Sequence, residues 1–453
     1  MFKKVLIANR GEIAARAAIA LNELGIKSVT IYSPIDKDSL FVKLADEAFC
    51  VGENEVGSSY LNIQNIISTA LVSGCDAIYP GYGFLSENSD FVKICQQESL
   101  KFIGPGYKAM ESLGNKAYAR NFVNRLGIPV IPGSSGDKIE TEKVVSEIGF
   151  PLMIKASAGG GGKGIRQVNS IEKFHEALEQ AQVEAQNGFG SSEIYLEKVI
   201  NSAKHIELQF VKDQFDNVVV FPERDCSAQR KHQKCIEESP CSHIRNEERK
   251  TLIEYVKKIA QNFDYENTGT VEFLMDSKRN FYFMETNARI QVEHSVTEML
   301  TGIDIVKLQI MIAEGKKLPI SQNDIQINGV AIEARMNAEI PEKGFNPSSG
   351  TINNLYFPTQ GMNVRFDTGV MQGSEVPVYY DNMLAKLIVR GTDRSNALSR
   401  MQRVLSQTIV EGVQTNLEFL SYLLSCNKFQ DGTFTTMFVD EALKDYQMVI
   451  EHE

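Results

Sequence analysis

The chain has 453 residues, more than one hydrophobic core usually accommodates, so we expect two or three domains. The apolar fraction of 43% and the charged fraction of 23% are ordinary for a globular protein. A net charge of −11 argues against nucleic acid as the main partner, although a local basic pocket for a small anion is compatible with it. No apolar run approaches the roughly 18 residues of a membrane span, so we expect no membrane partner.

The N-terminal stretch has an apolar core that is too short for a secretory signal, so we expect a cytoplasmic protein. The seven cysteines are scattered without CxxC pairs, which is typical of reduced thiols. Three of them lie near histidines, but their spacing matches no usual zinc site.

The first hundred residues alternate apolar strand-like runs with segments of helical periodicity, which predicts a doubly wound α/β domain. Two loops follow strand ends, where such sheets bind ligands, and the second contains Tyr82 and Phe84. The predicted strands are Lys4–Ala8, Ser28–Tyr32, Asp76–Tyr79 and Lys101–Ile103, and the predicted helices are Gly11–Leu24, Ile63–Val72 and Ser89–Gln97.

A helix over Asn115–Leu126 leads into a smaller unit that ends near Ser202. That unit holds a helix over Ile171–Gln186, with Asn169 as its N-cap, and a strand over Ile194–Val199. Strands dominate from there to Arg289. We predict one helix over Thr297–Gly315, and a last region of strands and helices after about Gly329.

Four consecutive glycines occur in KASAGGGGKGIR, residues 155–166. The run joins the predicted strands Phe150–Lys155 and Ile165–Val168, so it fits neither a Rossmann turn nor a Walker A loop, both of which lead directly into a helix. A flap whose backbone N–H groups approach phosphate oxygens is the functional interpretation, with Lys155 and Lys163 as flanking charges. A plain surface hairpin is the alternative.

A comb of polar residues occupies FYFMETNARIQVE, residues 281–293. Where this segment is extended, its odd positions share one face of the strand. A tight turn at Lys278-Arg279, or a four-residue turn at 277–280, would place Glu272 opposite Glu285. Two carboxylates that close repel each other unless a cation lies between them, and a Glu, Glu, Asn set suits Mg²⁺ or Mn²⁺ holding phosphates. The alternative is a solvated edge strand.

A third cluster, ERDCSAQRKHQK at residues 223–234, concentrates cationic side chains and His232. Beside a metal–phosphate site it would bind an anionic substrate, although a solvated loop has the same composition. Upstream, His205 shares a strand face with Glu207 and Gln209. A histidine alone is more often structural than catalytic.

The motifs ANRGEIA, YPGYGFLSEN, KASAGGGGKG, ERDCSAQRKHQK, ETNARIQVEH and EARMNAE occur in one order across almost the whole chain. In that order and spacing they resemble biotin carboxylase, an ATP-grasp ligase. The resemblance implies an α/β, three-part ATP-grasp architecture: an N-terminal Rossmann-like domain (1–114), a central ATP-grasp domain (115–329) with a mobile lid at about 131–202, and a C-terminal mixed α/β domain (330–453).

The implied reaction is the ATP- and Mg²⁺-dependent (or Mn²⁺-dependent) carboxylation of biotin with bicarbonate through carboxyphosphate. It is the first half-reaction of acetyl-CoA carboxylase, which serves fatty acid biosynthesis, or of a related carboxylase. Because the sequence has no AMKM-like biotinylation motif, we expect a separate biotin carboxyl carrier protein to present biotin, and a carboxyltransferase to act next. The family also implies a homodimer, with Arg16 and Arg365 near its interface.

Residue roles follow from the resemblance position by position. For ATP it implies phosphate contacts by Lys116 and Lys155, flap glycines at Gly161 and Gly162, and pocket residues at Glu197, Lys198, Val199, Ile200, His205, Gln229 and His232. For the metal it implies Glu272, Glu285 and Asn287. For bicarbonate it implies Lys234, Arg289 and the backbone of Val292, with Glu293 as the base. For biotin it implies Arg335, which stabilises the enolate, with Tyr82 and Phe84 lining the biotin side.

Three positions depart from the common family pattern: Ala158, Ala288 and Ser295. None removes a charged catalytic group. Two alternatives are another ATP-grasp ligase and a non-catalytic nucleotide-binding regulatory subunit. Another ATP-grasp ligase would not need Lys234 or Arg335, and a non-catalytic nucleotide-binding regulatory subunit would not need Glu293. The sequence leaves the acyl acceptor of the complete carboxylase open.

Overall fold

The computed structural model describes residues 1–134, 141–157, 165–189 and 192–452. Its first part alternates short apolar strands with helices that cover them. In chain order these elements are β1 (Lys4–Ile7), α1 (Gly11–Glu23), β2 (Lys27–Tyr32), α2 (Leu40–Leu44), β3 (Glu47–Cys50), α3 (Ile63–Val72), β4 (Ala77–Tyr79), α4 (Ser89–Gln97), β5 (Lys101–Phe102) and α5 (Tyr107–Gly114). The strands form a parallel sheet in the order β3-β2-β1-β4-β5, which confirms the predicted doubly wound domain.

The loops that follow β1 and β4 are tied together at the carboxyl edge of this sheet. The Asn9 side-chain amide donates to the carbonyls of Pro80 (2.6 Å) and Tyr82 (2.8 Å). Gly81 adopts a φ of +63°, and a Cβ there would lie 2.8 Å from the Ile13 side chain. A glycine is therefore required where the loop bearing Tyr82 passes over α1.

A smaller unit follows, built from α6 (Lys116–Arg125), α7 (Thr141–Ile148), β6 (Leu152–Ala156), β7 (Ile165–Val168), α8 (Phe174–Phe189) and β8 (Ile194–Lys198). Its antiparallel sheet has the order β7-β6-β8, so β6 and β7 pair as the sequence predicted. The helix start was predicted wrongly: residues 171–173 form a 3₁₀ turn before α8, and the side-chain oxygen of Asn169 accepts from the Gln167 side-chain amide instead of capping the helix. The glycine run itself, residues 158–164, lies outside the described residues.

A large, mostly antiparallel sheet forms the centre of the molecule. Its strands are β9 (Lys204–Lys212), β10 (Val218–Val220), β11 (Arg224–Arg230), β12 (Gln233–Ser239), β13 (Asn267–Met275), β14 (Phe281–Asn287), β15 (Val330–Asn337), β20 (Val364–Thr368) and β22 (Met383–Gly391). Their order is β14-β13-β9-β11-β12-β15-β22-β20, with β10 beside β9. Because β12 pairs with β15, the sheet continues across the domain boundary expected at 329/330.

Three helices pack around this sheet: α9 (Asn246–Asn262), α10 (His294–Thr301) and α11 (Ile305–Ala313). The first lies in a region that we had predicted as mainly strands, although its buried residues Leu252, Val256 and Ile259 follow helical spacing. The other two replace the single helix predicted over 297–315. Gly302 ends α10 with a φ of +74°, and the Asp304 side chain then caps α11.

The last part contains short strand pairs and a helical layer. These elements are β16 (Glu339–Ile340), β17 (Asn346–Pro347), β18 (Gly350–Thr351), β19 (Asn354–Tyr356), β21 (Glu375–Val376), α12 (Arg394–Gln407), β23 (Ile409–Glu411), α13 (Leu417–Ser425), α14 (Asn427–Gln430) and α15 (Phe438–His452). They share one core with β15 and β22. Within the described part of the chain, no helix combines the length and apolar character needed to cross a lipid bilayer.

The small unit has its own core, which makes it separately testable. Ile154 in β6 is fully buried in a cluster with Leu152, Phe174 and Leu196. We expect Ile154→Ala to lower the free energy of unfolding by about 2–5 kcal/mol, because it leaves a cavity. The exposed Val183 on α8 is the control, and Val183→Ala should change it by less than about 0.5 kcal/mol. Urea unfolding followed by circular dichroism measures both variants, and equal losses would contradict the prediction.

Candidate functional site

Three glutamates form a row across neighbouring strands. In the β13–β14 pair Glu272 lies opposite Glu285, as the turn at residues 277–280 predicted, and in the β9–β13 pair Glu272 lies opposite Glu207. Cross-strand neighbours have Cβ atoms about 5 Å apart, so the three carboxylates share one face at close range. Such a row is stable only when cations or hydrogen-bond donors reach every member.

Glu272 is compensated by groups from three elements. One carboxylate oxygen lies 2.9 Å from His205 Nε2, and the other accepts from the amides of Asn287 (2.8 Å) and Gln291 (3.0 Å). Burial alone would raise the pKa of Glu272, but Lys234 and His205 outweigh it and hold this pKa below its ordinary value. Burial likewise opposes the charge on His205, yet Glu272 raises the His205 pKa. Each of the two buried side chains therefore favours the charged form of the other.

Two lysines of the small unit lie near the other end of the row. Lys116, at the start of α6, places its Nζ 2.7 Å from Glu285 Oε2. Burial opposes ionisation of Glu285, but Lys116 lowers the pKa of that carboxyl. Lys155 on β6 lies 2.6 Å from Glu197 on β8, and Arg120 reaches the same carboxylate at 3.2 Å. These cations face the space beside the strand row.

The predicted comb is extended only in part. β14 ends at Asn287, and residues 288–293 form a bend and a turn before α10, so Arg289, Gln291 and Glu293 are not on a strand face. The turn nevertheless brings them beside β13: Gln291 reaches Glu272, and Arg289 donates to the Gln291 side chain at 2.8 Å. The sequence correctly predicted that these residues lie close together. It placed all of them on one strand face, however, and the strand ends at Asn287.

Glu293 is buried between two cations. Its Oε1 lies 2.5 Å from Lys234 Nζ, and its Oε2 accepts from Arg335 at 2.9 Å. Burial alone would raise the pKa of Glu293, but Lys234 and Arg335 hold this pKa well below its ordinary value. Lys234 also contacts Glu207 at 2.6 Å. Glu293 is thus an ionised carboxylate in a site largely closed to water.

Arg335 is shared between two carboxylates. Besides Glu293 it donates to Glu237 Oε1 at 2.7 Å, on the neighbouring strand β12. Burial raises the pKa of Glu237 to about 7, in spite of the opposing charge of Arg335. Glu237 was not predicted from the sequence, although it lies three residues after Lys234, the last residue of the basic motif.

Arg289 pairs with a residue of the N-terminal domain instead of with Glu293. Its Nε donates to Glu87 at 3.0 Å, and the other oxygen of Glu87 accepts from the Ala288 backbone at 2.9 Å. The cations in direct contact with Glu293 are Lys234 and Arg335. Glu87 was not predicted as a site residue, and the sequence feature that pointed to it is its place in the motif YPGYGFLSEN.

The biotin-side residues expected from the sequence lie on the loop after β4. The hydroxyl of Tyr82 donates to Glu12, and burial together with Glu12 raises the pKa of Tyr82 well above its ordinary value. Phe84, with a φ of 43°, stacks on Tyr60 at 5.3 Å between ring centroids. The positive charge of Arg335 also acts on Tyr82.

The remaining expected nucleotide residues lie on β11, β8 and the turns beside them. Gln229 is buried on β11, and His232 lies in the tight turn to β12 with a φ of 66°. Burial and the nearby Lys155 lower the pKa of His232. The backbone N–H groups of Lys198 and Val199 donate to Pro132 and Pro151, at 2.8 and 3.2 Å. Ile200 follows them, half-buried, whereas Gly161 and Gly162 lie outside the described residues.

The donor set of Glu272, Glu285 and Asn287 fits a divalent metal that prefers oxygen ligands. Glu272 and Glu285 are adjacent in register, and nearby cations favour the ionised form of each. Two other groupings of potential ligands are His205 with Glu207 and Glu272, and Glu207 with Cys226 and Glu293. Each includes a nitrogen or sulfur ligand, whereas Mg²⁺ prefers oxygen ligands alone.

Family models match three parts of the chain. Residues 1–110 match the biotin carboxylase N-terminal domain, residues 115–321 the carbamoyl-phosphate synthase L chain ATP binding domain, and residues 333–441 the biotin carboxylase C-terminal domain. Among known proteins, biotin carboxylase 1 of Bacillus subtilis is 46% identical over 444 residues, covering 97% of this chain and 98% of that protein. The 2-oxoglutarate carboxylase small subunit of Hydrogenobacter thermophilus is also 46% identical, covering 97% and 94%.

Solved structures agree with these matches. The biotin carboxylase domain dimer of the Hydrogenobacter thermophilus 2-oxoglutarate carboxylase, in complex with MgADP, ADP and bicarbonate, has a TM-score of 0.94 at 45% identity, covering 97% of this chain and 98% of that one. The biotin carboxylase–β-γ-ATP complex from Campylobacter jejuni has a TM-score of 0.94 at 44% identity, covering 97% and 99%.

The fold is therefore that of an ATP-grasp ligase, as the central match and the solved structures show. The chain belongs to the biotin carboxylase family. Its activity is the ATP- and Mg²⁺-dependent carboxylation of biotin with bicarbonate, and the resemblance read from the sequence is confirmed.

His294, directly after Glu293, gives this region a testable pH dependence. Its Nδ1 donates to the Gln291 carbonyl at 2.8 Å. Burial, with the positive charge of Lys386, lowers the pKa of His294 from 6.5 to about 3. Below about pH 6.5 this histidine binds a proton in the unfolded chain but stays neutral in the folded chain. The free energy of unfolding therefore falls by about 1.4 kcal/mol per pH unit until the pH reaches the pKa of the folded state.

The variant His294→Asn keeps a donor for the Gln291 carbonyl and removes the titration. We expect the melting temperature of the wild type to fall more steeply than that of the variant between about pH 7 and pH 5. Differential scanning calorimetry at several pH values measures this. Parallel curves for the two proteins would show that His294 does not titrate in this way.

Proposed function

We propose that Glu293 is the general base that takes the proton from bicarbonate, and that Lys234, Arg289 and the Val292 backbone hold this anion. The observation that supports the proposal most directly is the contact of Glu293 with Lys234 and Arg335, at 2.5 and 2.9 Å. A base must be ionised and within hydrogen-bond reach of its substrate, and the low pKa of Glu293 meets the first condition.

On the phosphate side, we assign Lys116 and Lys155 to ATP, together with His205, Gln229, His232, the segment 197–200, and the glycines Gly161 and Gly162. In support, Lys116 contacts Glu285 in the carboxylate row, and Lys155 contacts Glu197 on β8 while its charge also acts on Glu285. Positive groups there can move from the carboxylates to phosphate oxygens when ATP binds, because both partners are anionic. Mg²⁺ bound by Glu272, Glu285 and Asn287 would neutralise the charge that develops on the transferred phosphoryl group.

Arg335 is the proposed oxyanion stabiliser for biotin, with Tyr82 and Phe84 lining the biotin side. Its guanidinium is held by Glu237 and Glu293 from two sides, so its donors are fixed before any substrate arrives. One cation therefore contacts both the base and the site at which biotin is deprotonated. This arrangement favours coupling of the two proton transfers.

The assembly follows from family membership. We propose domains of 1–114, 115–329 and 330–453 with a lid at about 131–202, a carrier-borne biotin substrate, a separate carboxyltransferase component, a homodimer and a cytoplasmic location. A dimer is named for the Hydrogenobacter thermophilus neighbour. Arg16 and Arg365, expected near the dimer interface, both contact Glu298 within the chain, at 3.1 and 2.7 Å.

The variant Glu293→Gln tests the base. We expect it to lower bicarbonate-dependent ATP cleavage in the presence of free biotin by at least roughly 100-fold, because an amide cannot take the proton. The matched control is Glu238→Gln, which alters another buried, arginine-paired glutamate 2.9 Å from Arg394. A coupled assay of ADP release measures both. Full activity of the Glu293 variant would refute the assignment, and a requirement for an amino acid substrate instead of biotin would favour another ATP-grasp ligase.

The variant Glu285→Gln tests the metal site. Because one of two adjacent carboxylates is lost, we expect the Mg²⁺ concentration for half-maximal activity to rise at least about tenfold, with a lower maximal rate. Titration of activity with Mg²⁺ at saturating ATP measures it, and chelation of the metal should abolish turnover in the wild type. An unchanged Mg²⁺ dependence in the variant would contradict the assignment.

A further inference from the structure

A lysine that no motif singled out lies beneath the turn of the proposed base. Lys386 is on β22, is completely buried, and donates from Nζ to the Val292 carbonyl at 2.8 Å. That carbonyl belongs to the peptide group that joins Val292 to Glu293. A peptide group is planar, so fixing its oxygen also fixes the direction in which the Glu293 backbone leaves it.

The ammonium of Lys386 is held in turn by carboxylates from two distant parts of the chain. It lies 3.1 Å from Glu12 Oε1 on α1 and 3.5 Å from Asp367 Oδ2 on β20. Burial alone would lower the pKa of Lys386, but Glu12, Glu333 and Asp367 raise it, so the group is charged. A charged donor makes a stronger hydrogen bond to a carbonyl than a neutral donor does.

Lys386 and Arg335 are partners in register across the β15–β22 pair. Side chains at paired positions point to the same face of a sheet. The two cations therefore act on one residue from the same face: Arg335 contacts the Glu293 carboxylate at 2.9 Å, and Lys386 contacts the peptide that precedes it. Together they restrain both ends of the Glu293 side chain, the carboxylate and the backbone.

We propose that Lys386 is a positioning residue for bicarbonate activation, which acts by anchoring the Val292–Glu293 peptide. The inference rests on the proposed role of Glu293 and adds to it a buried lysine that touches no substrate. Glu12, which holds Lys386, also accepts from the Tyr82 hydroxyl, so the same ammonium connects the base with the biotin-side loop.

The test separates positioning from general stability. Lys386→Met removes the donor at similar length but leaves the buried Glu12 without its cation, a change that can unfold a protein, whereas Asp367 keeps Arg365 at 2.7 and 2.8 Å. The double variant Lys386→Met/Asp367→Asn removes one charge of each sign and still lacks the donor to Val292. Asp367→Asn alone keeps that donor. Lys212→Met is the matched control, since Lys212 is also buried and donates to backbone carbonyls, those of Ala260 and Phe263, remote from the site.

We expect the double variant to raise the KM for bicarbonate at least about tenfold and to lower kcat, while the KM for ATP changes less than about twofold. Lys212→Met should keep the wild-type KM for bicarbonate, and Asp367→Asn, which retains the donor to Val292, should raise it less than the double variant does. A wild-type KM for bicarbonate in the double variant would overturn the proposal. So would a parallel rise in both KM values, or a failure of both Lys386 variants to fold, because each outcome makes Lys386 a purely structural residue.

Failure of the proposed function and failure of the proposed role of Lys386 give different results. If the wild-type chain shows no bicarbonate-dependent ATP cleavage, the proposed function fails before any variant is compared. If the wild type is active and Glu293→Gln is not, the function stands, and the bicarbonate KM of the double variant alone decides the role of Lys386.

Discussion

A buried carboxylate can remain ionised only if cations replace the water that it has lost, and the proposed catalytic centre depends on this constraint at Glu293. Desolvating one ion costs several kcal/mol, which a single imperfect contact does not offset. Glu293 has two close contacts, with Lys234 on β12 and Arg335 on β15. These strands are neighbours in the central sheet although the boundary expected at 329/330 separates them in sequence. The continuity of the sheet therefore sets the charge state of Glu293, the proposed base.

The carboxylates of the row also need basic groups in place of the water that they have lost. Glu207, Glu272 and Glu285 are adjacent on β9, β13 and β14, and each contacts a cation: Lys234, His205 and Lys116 respectively. Acidic and basic groups alternate along the described part of the site, and each carboxylate of the row has a basic neighbour. Several of these pairs join different parts of the chain, such as Arg289 with Glu87 of the N-terminal domain. Substrate anions can enter by taking over cations that the carboxylates already hold in place.

The sequence predicted the local features well because short-range periodicity determines them. The opposition of Glu272 and Glu285 follows from a tight turn and the two-residue period of a strand. The extended comb beyond Asn287 was wrong in its geometry, since a strand pattern cannot reveal where the strand gives way to a turn. The prediction of a single helix over 297–315 was wrong for a related reason. Gly302 ends one helix, and Asp304 caps the next.

Long-range pairs were beyond sequence reasoning. Nothing in the local pattern around Lys386 or Glu237 shows that they will meet the turn or the arginine of the site, because strand order decides those contacts. The resemblance to a family supplied the residue roles that periodicity could not, and the matches over the three parts of the chain confirmed the family. The glycine run, residues 158–164, was the first signal for a phosphate site, and it lies outside the described residues.

The most direct test of an ionised Glu293 that activates bicarbonate for biotin is the fixation of labelled bicarbonate. The purified chain would be incubated with ATP, Mg²⁺, free biotin and isotopically labelled bicarbonate, and the biotin would be isolated at alkaline pH. Label should appear in biotin, only when ATP and Mg²⁺ are both present, and in proportion to the ADP released. ATP cleavage that leaves biotin unlabelled, or label that enters biotin without ATP, would contradict the role assigned to this site.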